Sequence, residues 1–265
     1  MDLYHYETHL HTSEASSCGK SKGYEYIQPY LDRGYSGIFV TDHFFNGNTA
    51  IKEILPWSEM VSRFVEGYEQ AKEEGDRHGL QVFFGWEHTF NRADFIIYGL
   101  DKAWLLEHPE VMHWDLSTLF NHVNEAGGLV VHAHPFRERR TISTIELFPH
   151  LVHAIEVLND GNEAEFDRKA FTYARALGLP ITSGSDVHAI EKIKDQPMGM
   201  AFDTPLTCIE DFIARVKNRD RALLLGQEDR NTLPHSAHTT IPIHLYDETN
   251  HYREVSFKQE FLLQI

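Results

Sequence analysis

Short apolar runs alternate with amphipathic segments along most of the chain, and this alternation predicts strands joined by helices. In one example, the helical pattern over residues 57–78 ends at Gly79 and is followed by an apolar strand over residues 80–84. Further strands are predicted over residues 4–8, 37–40, 94–100, 129–131, 153–158 and 179–183, and further helices over 23–33, 116–126 and 163–177. Strands that alternate with helices form parallel βαβ units, so we expect an α/β protein.

Histidine and carboxylate residues follow the predicted strands. His9 and His11 come at the end of the first strand and point to the same side, because alternate residues of a strand share a face. Similar clusters follow later strands: Asp42-His43, Glu87-His88, His132 with His134, and Asp186 with His188. In a (β/α) barrel, functional side chains gather at the carboxyl ends of the strands. We therefore expect the clusters to converge on one mouth of such a barrel.

The pattern is weaker in the last third of the chain. Strands are predicted over residues 198–202 and 222–225, on either side of an amphipathic helix over 207–217. From Gln227 onward the sequence alternates only in short segments, which predicts a β-rich tail. The predicted domains are a (β/α) barrel over residues 1–226 and a C-terminal extension over residues 227–265 that packs on the barrel.

Composition narrows the classes of function. The chain has 265 residues with 24 Lys and Arg against 40 Asp and Glu, a formal charge of −16 that argues against binding long nucleic acid or an anionic membrane. A short oligonucleotide end could still reach a bound cation. The 18 histidines suit a divalent-metal enzyme, although a solvated acidic surface explains the charge equally well. Two cysteines, no leader-like start and no long apolar stretch predict a cytoplasmic protein without a membrane span.

The order of the short motifs resembles that of the PHP family, the polymerase and histidinol phosphatase superfamily of metal-dependent phosphoesterases. The motifs are HLHT at residues 9–12, TDHF at 41–44, Glu87 after the third strand, an HP dipeptide at 134–135 and SDVH at 185–188. The resemblance covers roughly residues 1–225. It implies a distorted seven-stranded, TIM-like (β/α) barrel that holds two or three divalent ions, which are zinc, manganese or iron.

The resemblance also implies which residues hold the ions. The ligands implied for a first ion are His9, His11, Glu87 and Asp186. Glu87 would bridge to a second ion, which His134 would also bind. Family members commonly have a histidine in the strand after the bridging glutamate, and in this chain that strand begins with Asp94, an acceptable hard ligand.

A third ion would be held by His43 and His188. In the family, the loop after the first motif supplies one more ligand, either an aspartate or a histidine. This chain offers Glu14, which is the better carboxylate, or Cys18, which lies nearer to the usual place. The third site is therefore expected to use Glu14 or Cys18, or to remain weak.

Three further residues near the mouth are candidates for supporting roles. Arg137 carries forked donors that could bind a phosphate oxygen of the substrate, although a surface salt bridge explains it as well. His132 faces the same way as His134 if the strand continues, so it could replace His134, orient a ligand or contact substrate. Asp42 is expected to accept hydrogen bonds from its neighbours rather than to bind metal.

Such a site suits the hydrolysis of a phosphate ester by water that bound metal activates. His188 or His43 could protonate the leaving group when it is not committed to metal. The expected substrate is a small phosphorylated metabolite, a nucleotide or histidinol phosphate. One alternative is a metal-dependent amidohydrolase, which would need a lysine at a middle strand end, where none is predicted. Another is a catalytically weak accessory module that only binds metal.

Overall fold

The computed structural model describes residues 3–220, 222–226 and 239–263. Its strands are β1 (Tyr4–Leu10), β2 (Tyr35–Val40), β3 (Gln81–Phe90), β4 (Ala93–Tyr98), β5 (Leu129–Ala133), β6 (Ile145–Leu147), β7 (Ala154–Asn159), β8 (Ile181–Gly184), β9 (Gly199–Phe202), β10 (Leu223–Leu225), β11 (Ile243–Tyr246) and β12 (Tyr252–Val255). Its α-helices are α1 (Ile27–Asp32), α2 (Trp57–Phe64), α3 (Glu66–His78), α4 (Lys102–Glu107), α5 (Leu116–Glu125), α6 (Ala164–Leu177) and α7 (Ile209–Asn218). Within these ranges, no helix combines the length and the apolar character needed to cross a membrane.

Nine strands form one sheet in the order β10-β9-β1-β2-β3-β4-β5-β7-β8. The segment after β8 returns to β1, because Leu10 and Val187 form a β-bridge. The backbone N–H of Asp186 also donates to the carbonyl oxygen of His9 at 2.9 Å. The sheet is therefore a nearly closed barrel, and the predicted α/β fold with a distorted, TIM-like barrel is confirmed.

The distortion has a local cause in the hairpin of β3 and β4. Its two-residue turn consists of Asn91 and Arg92, whose φ values are 48° and 66°. Two consecutive residues of positive φ match the twist of a tight hairpin. Strand β4 is consequently antiparallel to both β3 and β5, whereas β1, β2 and β3 are parallel to one another. The hairpin replaces a helical crossover, so the barrel departs from a regular (β/α) repeat.

Several predicted boundaries differ from the structure. The single helix expected over residues 57–78 is two helices that meet at Val65. The third strand does not end at residue 84 but continues to Phe90, because its second half pairs with β4. Glu87 therefore lies within a strand rather than after one. Residues 258–262, in the tail expected to be β-rich, form a helical turn.

An aromatic layer supports β1 beside the histidines. Phe212 of α7 packs against Phe39 and Tyr98, with ring centroids 4.5 and 5.3 Å away. The hydroxyl of Tyr98 donates to the carbonyl oxygen of Thr8 at 2.7 Å. Since Thr8 directly precedes His9, this buried packing holds the end of β1 in a defined position.

The described part of the C-terminal segment contacts the barrel. Strand β11 pairs with β12 and, in parallel, with β6, a short strand that the sequence pattern did not predict. Further along, Phe257 packs on Phe136 and Phe261 packs on Tyr173 of α6. Residues 227–238 lie outside the described ranges, and the division of the chain into two domains at residue 226 stays a prediction.

Candidate metal centre

The end of β1 brings two buried imidazoles together. The Nε2 atoms of His9 and His11 are 3.1 Å apart, and both side chains are fully buried. Burial and the neighbouring His43 lower the pKa of His11 to about 3. His11 therefore stays neutral at physiological pH, and its ring nitrogen can act as a metal ligand.

One carboxylate faces four imidazoles. Oε1 of Glu87 lies 3.1 Å from Nε2 of His134 and 3.5 Å from Nε2 of His9. Oε2 lies 2.6 Å from Nδ1 of His43 and 3.6 Å from Nε2 of His11. Although burial opposes ionisation, His43 and the other imidazoles hold the pKa of Glu87 well below its usual range. Glu87 therefore presents an ionised carboxylate to all four imidazoles.

A second carboxylate, Asp186, approaches the same histidines from the segment after β8. Its Oδ1 lies 3.1 Å from Nε2 of His11 and 3.7 Å from Nε2 of His9. The Asp186 backbone has a φ of 57°, and the β1 carbonyl of His9 accepts its N–H. Positive φ is uncommon for a residue with a side chain and is found at functional sites. Here it aims the carboxylate at His9 and His11.

These side chains form three overlapping groups of possible metal ligands. Within each group the ligand atoms lie within 4.8 Å of one another; the groups are His9, Glu87 and His134; His9, His11 and Asp186; and His11, His43 and His188. Nδ1 of His43 and Oε2 of Glu87 are buried and face each other without a hydrogen bond. A shared cation would satisfy both atoms. The donor set of imidazole and carboxylate therefore fits divalent metal ions.

A buried acceptor, Glu156 of β7, orients the first histidine. Its Oε1 lies 2.9 Å from Nδ1 of His9. Its Oε2 accepts from the backbone N–H of His134 at 3.1 Å and from Nδ2 of Asn159 at 2.8 Å. The sequence pattern did not reveal this role, because an ordinary strand residue would explain Glu156 equally well. The only signal in the sequence is that Glu156 is an acidic residue inside an apolar run.

Asp42 supports the loop after β1. It accepts hydrogen bonds of 2.6 Å from the backbone N–H of Thr12, the hydroxyl of Thr12 and the hydroxyl of Ser16. The hydroxyl oxygen of Ser16 in turn lies 3.3 Å from Nδ1 of His11. The expectation that Asp42 accepts hydrogen bonds from its neighbours is confirmed.

Arg137 is buried, and each of its three guanidinium nitrogens donates a hydrogen bond. Its Nη1 donates to Oδ2 of Asp186 at 2.6 Å, and its Nε donates to Oδ1 of Asn162 at 2.6 Å. Its Nη2 donates to Oδ1 of Asn159. Arg137 therefore holds Asp186 in place, and the contact with substrate expected for it stays a prediction. The neighbouring Arg139 also lines the cleft, and its guanidinium makes no hydrogen bond or ion pair to any described residue.

The cleft above the ligand groups holds about 230 Å³. The residues that line it are Cys18, His43, Asn48, Glu87, Thr89, Asp94, His134, Arg137, Arg139, Asp186 and His188. Asp94 belongs to the wall, where its Oδ1 accepts from the hydroxyl of Thr89 at 2.6 Å. It lies outside the three ligand groups, so the structure brings it to the cleft but not among the closest donor atoms.

The loop after β1 brings Cys18, rather than Glu14, to the outer histidines. Glu14 lies outside the cleft, near the hydroxyl of Ser13 and the backbone N–H of Gly23, both at 3.4 Å. Cys18 contacts His43 and His188; burial alone would raise the pKa of its thiol, but the two imidazoles lower it to about 6.

His132 is not brought to the ligand groups. Its ring stacks on Phe95, with centroids 4.8 Å apart, and its Nδ1 has no hydrogen-bond partner among the described residues. The expectation that His132 and His134 point the same way assumed a continuous strand. Instead β5 ends at Ala133, and His134 has a φ of 31°, which redirects its side chain toward Glu87.

Several solved structures share this fold. A two-domain protein from Bacteroides vulgatus that contains a predicted PHP-like metal-dependent phosphoesterase matches with a TM-score of 0.65 and 17% sequence identity. The match covers 84% of this chain and 65% of that chain, so this chain spans less than two thirds of its length. The two chains share a fold.

Two other matches are more distant. Endonuclease Q, in complex with a 27-mer duplex substrate with an abasic lesion at the active site, has a TM-score of 0.52 and 11% identity, covering 84% of this chain and 58% of that one. An amidohydrolase from Chromobacterium violaceum with bound sulfate has a TM-score of 0.50 and 18% identity, covering 83% and 97%. No family model and no curated protein matches the sequence. The resemblance to the PHP family is therefore confirmed at the level of the fold.

Proposed function

We propose that this chain hydrolyses phosphate esters at a centre of two or three divalent metal ions. The observation that carries the proposal is Glu87, a buried carboxylate that faces four imidazoles and shares three of them with Asp186. An arrangement of this kind leaves negative charge and ring lone pairs directed at one small volume. Independent surface histidines would not produce it, because each would be hydrated separately.

The proposed ligands are drawn from the three groups and divided as the resemblance implies. His9, His11, Glu87 and Asp186 hold a first ion. Glu87 and His134 hold a second, with Asp94 on the adjacent wall as a further carboxylate for it. His43 and His188 hold a third. Nitrogen and carboxylate donors in this mixture suit zinc, manganese or iron.

When bound, such ions supply a water molecule of lowered pKa as the attacking group and positive charge next to the phosphoryl oxygens. The chain's own residues provide the rest. Arg139 places at the cleft a guanidinium that has no ion pair among the described residues, and this group can donate to a phosphoryl oxygen. Nδ1 of His188 lies 2.7 Å from the carbonyl oxygen of Asp186 and donates to it. When no third ion is bound and the ring is the imidazolium, its Nε2–H can pass its proton to the leaving group, and the ring becomes neutral.

The cleft and the charge support a small substrate. A volume of about 230 Å³ accommodates a phosphoryl group and a small leaving group rather than a large ligand. A small phosphorylated metabolite, a nucleotide or histidinol phosphate meets this limit. The end of a short oligonucleotide is the remaining option, supported by the duplex bound to the Endonuclease Q neighbour. The formal charge of −16 disfavours a long nucleic acid.

Amidohydrolase activity is a second candidate, supported by the fold match to the Chromobacterium violaceum amidohydrolase. A lysine that bridges two metals is the expected mark of that class. The residues that line the described cleft include no lysine, and Glu87, the bridging ligand in this proposal, is among them. Phosphoester hydrolysis is therefore the better supported of the two.

The test combines metal content with activity. Protein purified without added metal or chelator is analysed for zinc, manganese and iron, then assayed against a panel of phosphate monoesters, nucleotides, short oligonucleotides and N-acyl amides. We expect two or three equivalents of metal, with phosphatase activity lost on chelation and restored by metal. His9→Ala should lose both, whereas His78→Ala, on the exposed surface of α3, should lose neither.

The proposal would be contradicted if the protein bound less than one equivalent of metal under metal-replete conditions and if His9→Ala had the same metal content as the wild type. The same result would also contradict the alternative of an accessory module that binds metal. Amide hydrolysis without phosphatase activity would favour the amidohydrolase alternative. Full metal content without turnover of any substrate in the panel would favour an accessory module.

A further inference from the structure

We propose that Cys18 is a metal ligand, and that its thiolate joins His43 and His188 in a site of mixed sulfur and nitrogen donors that selects zinc over manganese. This inference rests on the proposed function in one respect, since it assumes that the outer histidines bind an ion. It goes further by assigning the last ligand and the chemical preference of that position.

The backbone holds Cys18 between two parts of the barrel mouth. The N–H of Ser17 donates to the carbonyl oxygen of Asn48 at 2.8 Å, in the segment after β2. The N–H of Lys20 donates to the carbonyl oxygen of His188 at 2.7 Å, in the segment after β8. Cys18 lies between these two anchors, and its side chain contacts both His43 and His188. Its position is thus set by ordered backbone on both sides.

The loop has little freedom to place another residue there. A Cβ added at Gly19 would lie 2.2 Å from the carbonyl oxygen of Thr12, so the loop backbone is pressed against the strand end. Glu14 is directed to Gly23 and away from the cleft. Of the two loop residues that could complete the outer site, Cys18 lines the cleft beside His43 and His188, and Glu14 does not line it.

The outer histidines are arranged around a common point. The rings of His43 and His188 each stack on His11 with centroids 4.3 Å apart, and the ligand atoms of all three lie within 4.8 Å of one another. An independent observation comes from Glu87, which is 1% exposed. Its Oε2 has no hydrogen bond and points at Nδ1 of His43, 2.6 Å away. A buried carboxylate oxygen and a ring nitrogen that face each other without hydrogen-bond geometry fit a cation position.

A thiolate changes which cation fits. Sulfur is a soft donor that prefers zinc and other thiophilic ions, whereas carboxylate and water suit manganese and magnesium. On binding, the thiol of Cys18 loses one proton to solvent and its sulfur forms one bond to the ion. We therefore expect the outer position to take zinc or cobalt more tightly than manganese.

Cobalt(II) is the probe for the test, because a thiolate bound to cobalt gives a charge-transfer absorption in the near ultraviolet that nitrogen and oxygen ligands do not. The metal-free chain is titrated with cobalt as the wild type, as Cys18→Ser and as Cys208→Ser. Cys208 is the second of the two cysteines, is exposed and directly precedes α7, so it serves as a matched control. We expect the band in the wild type and in Cys208→Ser and its absence in Cys18→Ser.

Thiol reactivity provides a second readout. With zinc bound, the wild type should have one reactive thiol, Cys208, and without metal it should have two. Cys18→Asp should bind as many ions as the wild type while shifting its preference toward manganese by about tenfold or more.

A wild type that binds metal and hydrolyses phosphate esters, yet has no charge-transfer band and two reactive thiols, would overturn the role of Cys18 and leave the proposed function intact. Binding of no metal would overturn both. A charge-transfer band without phosphatase activity would support the role of Cys18 and contradict the proposed function.

Discussion

Nδ1 of His9 lies 2.9 Å from Oε1 of Glu156, and both side chains are buried. An imidazole that donates from Nδ1 presents an unprotonated Nε2 on its other side, and a carboxylate partner makes that nitrogen more basic. Nε2 of His9 is the atom that faces His11, Glu87 and Asp186. Glu156 therefore sets both the tautomer and the direction of the first proposed ligand.

Removal of this acceptor should weaken metal binding. For Glu156→Ala we expect the affinity for zinc to fall about 10- to 100-fold, because His9 loses its orienting partner. Competition with a chelating indicator dye measures the change. Glu156→Gln, which retains an acceptor oxygen for His9, should lose less. An unchanged affinity in a folded Glu156→Ala protein would show that the ligand orientation has another origin.

The buried contact between Arg137 and Asp186 should contribute to stability when metal is absent. Arg137→Met leaves a buried carboxylate without its guanidinium, so we expect the free energy of unfolding in chelator to fall by about 3–5 kcal/mol. Urea unfolding, followed by circular dichroism, measures this free energy. Arg139→Met removes a guanidinium that has no ion pair among the described residues, so it should change the free energy of unfolding by less than about 0.5 kcal/mol. Equal effects of the two substitutions would argue against a holding role for Arg137.

Substrate binding should depend on Arg139. Loss of a charge-assisted hydrogen bond in Arg139→Ala should lower kcat/KM for a phosphate ester roughly 10-fold or more, mainly through KM, with metal content unchanged. Arg140→Ala is the matched control, since Arg140 is the next residue, is exposed and does not line the cleft. Steady-state kinetics of both variants measures the two values of kcat/KM. If kcat/KM of Arg139→Ala equals that of Arg140→Ala, the phosphate is bound by other groups.

The stability of the chain should fall in mild acid partly because of His132. Burial and the nearby His134 lower the pKa of His132 to about 3 from an ordinary value of 6.5. Below pH 6.5 His132 binds a proton in the unfolded chain but stays neutral in the folded chain. Its neutral form therefore imposes no loss of stability above that pH, and the free energy of unfolding decreases as the pH falls toward 3. One such histidine lowers the free energy of unfolding by about 1.4 kcal/mol for each pH unit in this window.

His132→Phe should remove that part of the acid sensitivity. A phenyl ring can keep the stacking on Phe95, and it lacks the unpaired Nδ1 atom. Urea unfolding between pH 5 and 7 should give a shallower loss of stability for the variant than for the wild type, by about 1.4 kcal/mol per unit. Metal content should stay unchanged. A variant that loses metal would instead make His132 a member of the site.

Local patterns in the sequence determined the class of fold and most of the chemistry. Alternation within β1 puts His9 and His11 on one face whatever surrounds them, and apolar runs followed by polar residues mark the strand ends at His43 and Asp186. These features depend on neighbours within a few positions, so periodicity reveals them. The barrel follows, because parallel strands bring their carboxyl ends to one side.

Only the tertiary structure decided which side chains pair across long separations. Arg137, rather than Arg139, meets Asp186, 49 positions away, and Glu156 meets His9 across 147 positions. Backbone torsions at single residues, such as the positive φ of His134, redirect side chains that a continuous strand would place differently. Strand periodicity assigns a residue to a face of the sheet, but the partner it meets depends on barrel closure and loop paths. Those are set by the packing of the whole chain, which no local window of sequence contains.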